Sequence, residues 1–140
     1  MPNYQQITEI LKAGGVILYP TDTVWGIGCD ATNPSAVARI FAIKQRSESK
    51  SLIILVSSIA MLREYIADLP QNILNYLKKI NEPTTIIYEN PQLLAPNVIA
   101  ADNTVAIRLV QDPFCQQMIN LFGKPIVSTS ANISGQPTPL

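Results

Sequence analysis

The sequence predicts an α/β or mixed α+β fold, a sheet with flanking helices, on three observations. Short apolar runs rich in β-branched residues alternate with segments whose apolar residues recur at helical spacing. Pro, Gly, Asn and Ser clusters punctuate the two kinds of segment. At 140 residues, 1–140 has the length of a single domain and can bury a core without staples.

The elements follow in order. Tyr4, Ile7, Ile10 and Leu11 share one face, so a helix is expected from Tyr4 to Lys12, stopped by Gly14-Gly15. Val16 to Tyr19 reads as a buried strand whose pairing ends at Pro20, which has no N–H to give. Thr21, Asp22 and Thr23 come next, then the lone tryptophan Trp25, then Gly26 and Gly28, which let backbone come close to something. Asn33 is the expected cap of a second helix, with Pro34 in its first turn and Val37, Ile40, Phe41 and Lys44 on one face.

Residues 45–51 are polar throughout and read as a loop. Leu52 to Val56 is a second buried strand, Ser57-Ser58 cap a short helix through Tyr65, and Pro70 opens another carrying Ile73, Leu74 and Leu77. Thr84 to Tyr88 is a third strand. A helical turn and loop are expected within Pro91 to Ala101, then a fourth strand from Thr104 to Val110. Asp112 caps a helix to Phe122, Gly123-Lys124-Pro125 turns the chain, and a fifth strand from Ile126 runs into Ser128-Thr-Ser-Ala-Asn-Ile-Ser-Gly135. Gln136 to Leu140 reads as a loop leading onward, so a truncated chain or a shortened member of something longer is expected.

Composition excludes several chemistries. With no histidine there is no Ser-His-Asp or Cys-His pair, no histidine general base and no histidine metal ligand, and no metal set is assigned. Cys29 and Cys115 lie far apart without a CxxC and read as reduced core thiols. Net charge is zero, so there is no global footprint for nucleic acid, although a local basic groove is compatible with it. No basic leader and no apolar run of about 20 residues is present. A cytoplasmic protein is expected, with no membrane partner.

Three polar clusters flank apolar elements. In Thr21-Asp22-Thr23, a continuing strand turns both threonines one way and Asp22 the other; a capped turn explains the same residues. Lys44 and Arg46 reach a common anion only if the helix ends near Lys44, with Lys50 adding a third cation; cations placed for the helix dipole are the plain alternative. Ser128, Ser130 and Asn132 share one face in extended geometry, which suits phosphate or ribose oxygens; a serine-rich turn is the alternative. Arg108 sits in an otherwise apolar strand and needs a partner or ligand, with Asp22, Asp30 and Asp102 as candidates.

Each cluster is weak alone, but their order is specific. Gly15-Val-Ile-Leu-Tyr-Pro-Thr-Asp-Thr-Val-Trp-Gly-Ile-Gly28, then Lys44-x-Arg46, then Val105-x-Ile-Arg108, then Pro125-Ile-Val-Ser-Thr-Ser-Ala-Asn-x-Ser-Gly135 resembles the YrdC-like family, the threonylcarbamoyl-AMP synthases, over nearly the whole chain. The resemblance implies a twisted, open mixed α/β sheet with a basic concave face. It implies condensation of ATP, L-threonine and bicarbonate to threonylcarbamoyl-AMP and pyrophosphate, with Mg²⁺ accompanying ATP, and downstream tRNA-modification enzymes that use the product.

Residue by residue, the resemblance puts Lys44 and Arg46 in the signature KxR positions and Ser130 and Asn132 in the SxN positions. Thr21 and Thr23 match its threonine region, lined by Tyr19 and Trp25. Lys50, Arg108 and Ser128 stand near the nucleotide. Three departures accompany it. Ser51 replaces a proline, Asn81-Glu82-Pro83 replaces a Pro-Gly-Pro turn, and the family domain continues past the SxN motif. A competing reading is a module of the same fold that binds double-stranded RNA or tRNA without catalysis. Clustering of Lys44, Arg46, Lys50 and Arg108 in one pocket, against a spread along a groove, separates the two. A carbamoyl-phosphate-using relative of the hydrogenase-maturation type is disfavoured, because its extra domains do not fit in this length.

Overall fold

The computed structural model of the chain describes residues 3–20, 25–44, 52–82 and 84–130. The first helix, α1 (Tyr4–Lys12), starts where the Asn3 carbonyl oxygen side chain accepts from the Gln6 N–H at 3.0 Å. Gly14 then takes a left-handed φ of +80°, and its carbonyl receives the Arg39 guanidinium at 3.0 Å.

Two strands follow, β1 (Ile17–Pro20) and β2 (Trp25–Asp30), paired antiparallel with Pro20 opposite Trp25. β2 is a sixth strand where five were expected. Its Gly26 and Gly28 weaken the local strand signal, and pairing on both sides supplies what propensity does not.

Helix α2 (Pro34–Lys44) is capped by Asn33, whose Oδ1 accepts from Ser35 N at 3.0 Å and Ala36 N at 3.2 Å. Then come β3 (Ile53–Val56), α3 (Ile59–Tyr65) capped by Ser58, and α4 (Gln71–Lys79). β4 (Thr85–Glu89), a 3₁₀ turn at Pro96–Val98 and β5 (Thr104–Leu109) follow. α5 (Pro113–Phe122) begins with Asp112 accepting from Cys115 N at 2.9 Å, and β6 (Ile126–Ser130) is the last described element.

The sheet order is β1-β2-β6-β3-β5-β4. Among the described strands only β3 and β5 pair in parallel and the other neighbours are antiparallel, so the sheet is mixed and open, as expected. β6 joins the β1-β2 hairpin to the β3-β5-β4 half.

Because side chains alternate, the strands make two different faces. On the closed face, Ile27, Cys29, Val127, Ile54, Val56, Val105 and Ile107 pack with Val37, Ile40 and Phe41 of α2, Leu62 and Tyr65 of α3 and Leu77 of α4. On the other face, Ile17, Tyr19, Ile126 and Leu55 pack under Leu11 of α1 and Cys115, Met118, Ile119 and Phe122 of α5. These two helices do not reach the whole sheet. Among the described residues no helix covers the second face over β4 and β5: Thr85, Ile87 and Glu89 are exposed, and Thr104, Ala106 and Arg108 are half-buried.

Candidate functional site

The partly covered face holds Tyr19, Ser128 and Arg108. Ser128 stands in central β6, opposite Gly28 on one side and Ile53 on the other, and Ser130 lies two residues on, opposite Gly26. Ser128 faces the α1/α5 side of the sheet, with Ile126 two residues before it.

Tyr19 comes to Ser128 from two strands away. Its phenol oxygen and the Ser128 hydroxyl are hydrogen-bonded, joining positions 109 apart in sequence. The ring crosses β2 above the two glycines. A Cβ on Gly26 would stand 3.0 Å from Tyr19 Cζ, and one on Gly28 3.0 Å from Cε1. What the Gly-Ile-Gly segment admits so closely is this ring. Phe114 of α5 flanks it, centroids 6.5 Å apart, and the Tyr19 residue is only 1% exposed. Burial pushes the Tyr19 phenol well above its usual range, with the Ser128 hydrogen bond and the Arg108 charge opposing more weakly, so it stays neutral.

Arg108 lies on the open part of the same face. In β5 it stands opposite Leu55 on one side and Thr85 on the other, and its Nε donates to Thr85 Oγ1 at 2.9 Å. Two of the three candidate carboxylate partners have other roles, and the third, Asp22, lies outside the described residues. Asp30 accepts from Thr32 N at 2.8 Å and Thr32 Oγ1 at 2.7 Å, with Lys124 Nζ 4.0 Å away, and Asp102 accepts from Thr104 Oγ1 at 2.6 Å. Among the described residues, the Arg108 charge thus has a neutral partner, which leaves it able to meet an anion. Thr85 is a residue the sequence did not single out; only the cross-strand register places it there.

Ser128 and Arg108 are separated by one intervening strand, about 10 Å across the sheet. An open depression of about 480 Å³ lies at the N-terminal ends of β3 and β5, lined by Ile53, Thr85, Ile87, Thr104 and Ala106 among others; neither Ser128 nor Arg108 lines it. On this face Ser128 offers a hydroxyl and Arg108 a guanidinium on either side of β3, which suits a ligand with an anionic part.

Several expected site residues lie outside the described residues: Thr21, Asp22, Thr23, Arg46, Lys50 and Asn132. Residues 21–24 connect β1 to β2, immediately after Tyr19 and Pro20. Lys44 is the last residue of α2, Trp25 the first of β2 and Ser130 the last of β6; the structure describes their backbone positions alone. Cys29 and Cys115 are buried on opposite faces of the sheet, which fits core thiols. No helix among the described residues is long and apolar enough to cross a membrane.

Comparison with known proteins agrees with this geometry. The Sua5/YciO/YrdC family model, described as "Telomere recombination", matches residues 9–140. The chain is 37% identical over 140 residues to the threonylcarbamoyl-AMP synthase of Photobacterium profundum, covering 98% of this chain and 76% of that one. It is 38% identical to the Vibrio campbellii enzyme of the same name, with the same coverage. Among solved structures, Pyrococcus abyssi Sua5 complexed with L-threonine superposes with a TM-score of 0.88 at 29% identity, covering 99% of this chain and 42% of that one. Escherichia coli YciO gives a TM-score of 0.76 at 26% identity over 93% of this chain and 65% of its own. The chain thus spans about three quarters of its curated relatives and under half of the archaeal structure. With a family match over residues 9–140 and the Tyr19 and Ser128 motifs joined across one sheet, the chain belongs to the Sua5/YciO/YrdC family.

Proposed function

We propose that the protein is an L-threonylcarbamoyladenylate synthase, acting on ATP, L-threonine and bicarbonate. The observation that carries this reading is the Tyr19–Ser128 hydrogen bond: it ties the strand leading into Thr21-Asp22-Thr23 to the strand leading into Ser130-x-Asn132. Identity of 37% to an enzyme named threonylcarbamoyl-AMP synthase supports the same activity.

The reaction suits a site without histidine. The threonine amine adds to bicarbonate and loses water to give a carbamate. A carbamate oxygen then attacks the α-phosphorus of ATP, and pyrophosphate leaves with the electron pair of the broken P–O bond. No protein nucleophile is needed; the protein positions substrates and offsets charge. Mg²⁺ enters as part of the MgATP substrate, held by its phosphates.

In this reading Thr21, Thr23 and Trp25 form the threonine side, with Tyr19 at the head of that loop. Arg46 grips a carboxylate with its planar fork, and Lys44 and Lys50 meet phosphate oxygens. Ser128, Ser130, Asn132 and Arg108 take the nucleotide. The product then passes to tRNA-modification enzymes in the cytoplasm. The alternative reading, an RNA-binding module without catalysis, has no observation of its own in its favour.

Pyrophosphate release from ATP, measured with and without threonine and bicarbonate, tests the activity. Release is expected only with both. Lys44→Ala and Arg46→Ala are each expected to lower it at least tenfold, about 1.4 kcal/mol or more of transition-state stabilisation. Threonine-independent release, or variants within a factor of about two of the parent, would sink the assignment.

A further inference from the structure

Tyr19 has a small part in the proposed roles, and the structure holds it on several sides. It leaves edge strand β1, passes over β2 and ends at β6, so its ring spans one strand of the sheet. Two glycines open that path, since a Cβ at either position would stand 3.0 Å from a ring atom. Phe114 flanks the ring at 6.5 Å. With 1% exposure, Tyr19 has almost no surface to offer a ligand, whereas Ser128 is half-buried and retains some.

The chemistry of the pair gives this bond a direction. Burial pushes the Tyr19 phenol up, yet a phenol remains more acidic than an aliphatic hydroxyl. The phenol is thus the better donor and the Ser128 oxygen the acceptor. The serine proton is then turned away from Tyr19. A serine held this way is a committed donor, suited to an anionic oxygen and not to another donor.

We propose that Tyr19 is a positioning residue for the nucleotide, its hydroxyl reaching across Gly26 and Gly28 to hold Ser128 as a hydrogen-bond donor toward phosphate oxygen. This rests on the assignment of Ser128 to the nucleotide side. It gives the Gly-Ile-Gly segment a defined task, room for a ring, in place of direct approach to a ligand.

Tyr19→Phe keeps the ring in its slot and removes the one atom that matters. With pyrophosphate release as the readout, it is expected to raise the KM for ATP about three- to tenfold, the effect of one hydrogen bond, with the KM for threonine changed less than about twofold. Ser128→Ala is expected to do the same, and the double variant no worse than Ser128→Ala alone. A purely structural role would move both KM values or neither. If Tyr19→Phe does not fold, Gly26→Ala carries the test, since its methyl displaces the ring. It is expected to raise the ATP KM when Ser128 is present and not in the Ser128→Ala background.

An unchanged ATP KM in Tyr19→Phe, or multiplying effects in the double variant, overturns the inference. Calorimetric titration with MgATP on the same variants keeps it distinct from the synthase reading. Wild-type protein that binds ATP without releasing pyrophosphate defeats that reading alone, and weaker binding by Tyr19→Phe then still supports the positioning role. Wild-type protein that does not bind ATP overturns both.

Discussion

The two faces of the sheet are built by the same strands and behave as two different materials. On the closed face, β6 presents Val127 and β3 presents Ile54 and Val56, each fully buried under helices α2 and α3 or beside neighbours of the same kind. On the other face the same two strands present Ser128 and Ile53, which are half-buried, and β5 presents Arg108. The difference lies in coverage. α1 and α5 seal the β1, β2 and β6 end, while no helix among the described residues covers the β4 and β5 end. A strand can thus hold a site with one face because its other face holds the fold.

That contrast makes graded predictions about stability. Ile54→Ala, on the closed face, is expected to cost about 2–5 kcal/mol, seen as a fall in the urea midpoint at constant m. A loss under about 1 kcal/mol would mean the closed face is not tightly packed. Gly28→Ala comes next, at about 1–3 kcal/mol. Its new Cβ would stand 3.0 Å from the Val127 carbonyl oxygen, which a paired central strand cannot move, as well as from the Tyr19 ring.

Alkaline pH probes the closed face through Cys29. Burial first, and the neighbouring Asp30 second, push this thiol from 9.0 to about 12. Between those values the unfolded chain has released the thiol proton and the folded chain keeps it. The unfolded state therefore binds fewer protons, and stability falls as pH rises through this window. Urea midpoints are expected to lose about 1–2 kcal/mol of stability between about pH 8 and about pH 10.5, less so in Cys29→Ala. Equal slopes in parent and variant would assign the loss to other groups.

The open end should respond in the opposite manner. Arg108→Gln is expected to leave stability within about 0.5 kcal/mol while raising the KM for ATP about tenfold. A large stability loss would make Arg108 structural. Ile87→Thr is expected to show the smallest effect, under about 0.5 kcal/mol, since Ile87 is 71% exposed.

Local chemistry made most of the fold legible in sequence. Asn33, Ser58 and Asp112 signal helix starts because a cap is an interaction within three residues, and all three side chains accept the expected backbone N–H. β2 was hidden because Gly26 and Gly28 lack strand propensity; the reason for them lies in Tyr19, a residue on another strand. The site was legible as clusters but not as connections. Arg108 was expected to need a partner or a ligand; among the described residues it donates to Thr85, a neighbour that cross-strand register decides, while the candidate Asp22 lies outside them. Likewise no pattern within β1 or β6 announces that Tyr19 bonds to Ser128. The KxR and Thr21-Asp22-Thr23 expectations rest on residues outside those described, apart from the Lys44 backbone.

The position of β6 has a further consequence for how the protein is made. A nascent chain emerging as far as residue 125 carries the β1-β2 hairpin and the strands β3, β4 and β5, yet the strand that joins them has still to appear. Until it does, β2 and β3 each offer an open row of amides to any passing chain. Synthesis is therefore expected to pass through an adhesive stage that ends abruptly when residues 126–130 insert. Ribosome-stalled chains ending before and after β6 should differ sharply in protease resistance and in chaperone capture. Insertion of β6 also delivers Ser128, so the site forms in the same event that closes the sheet.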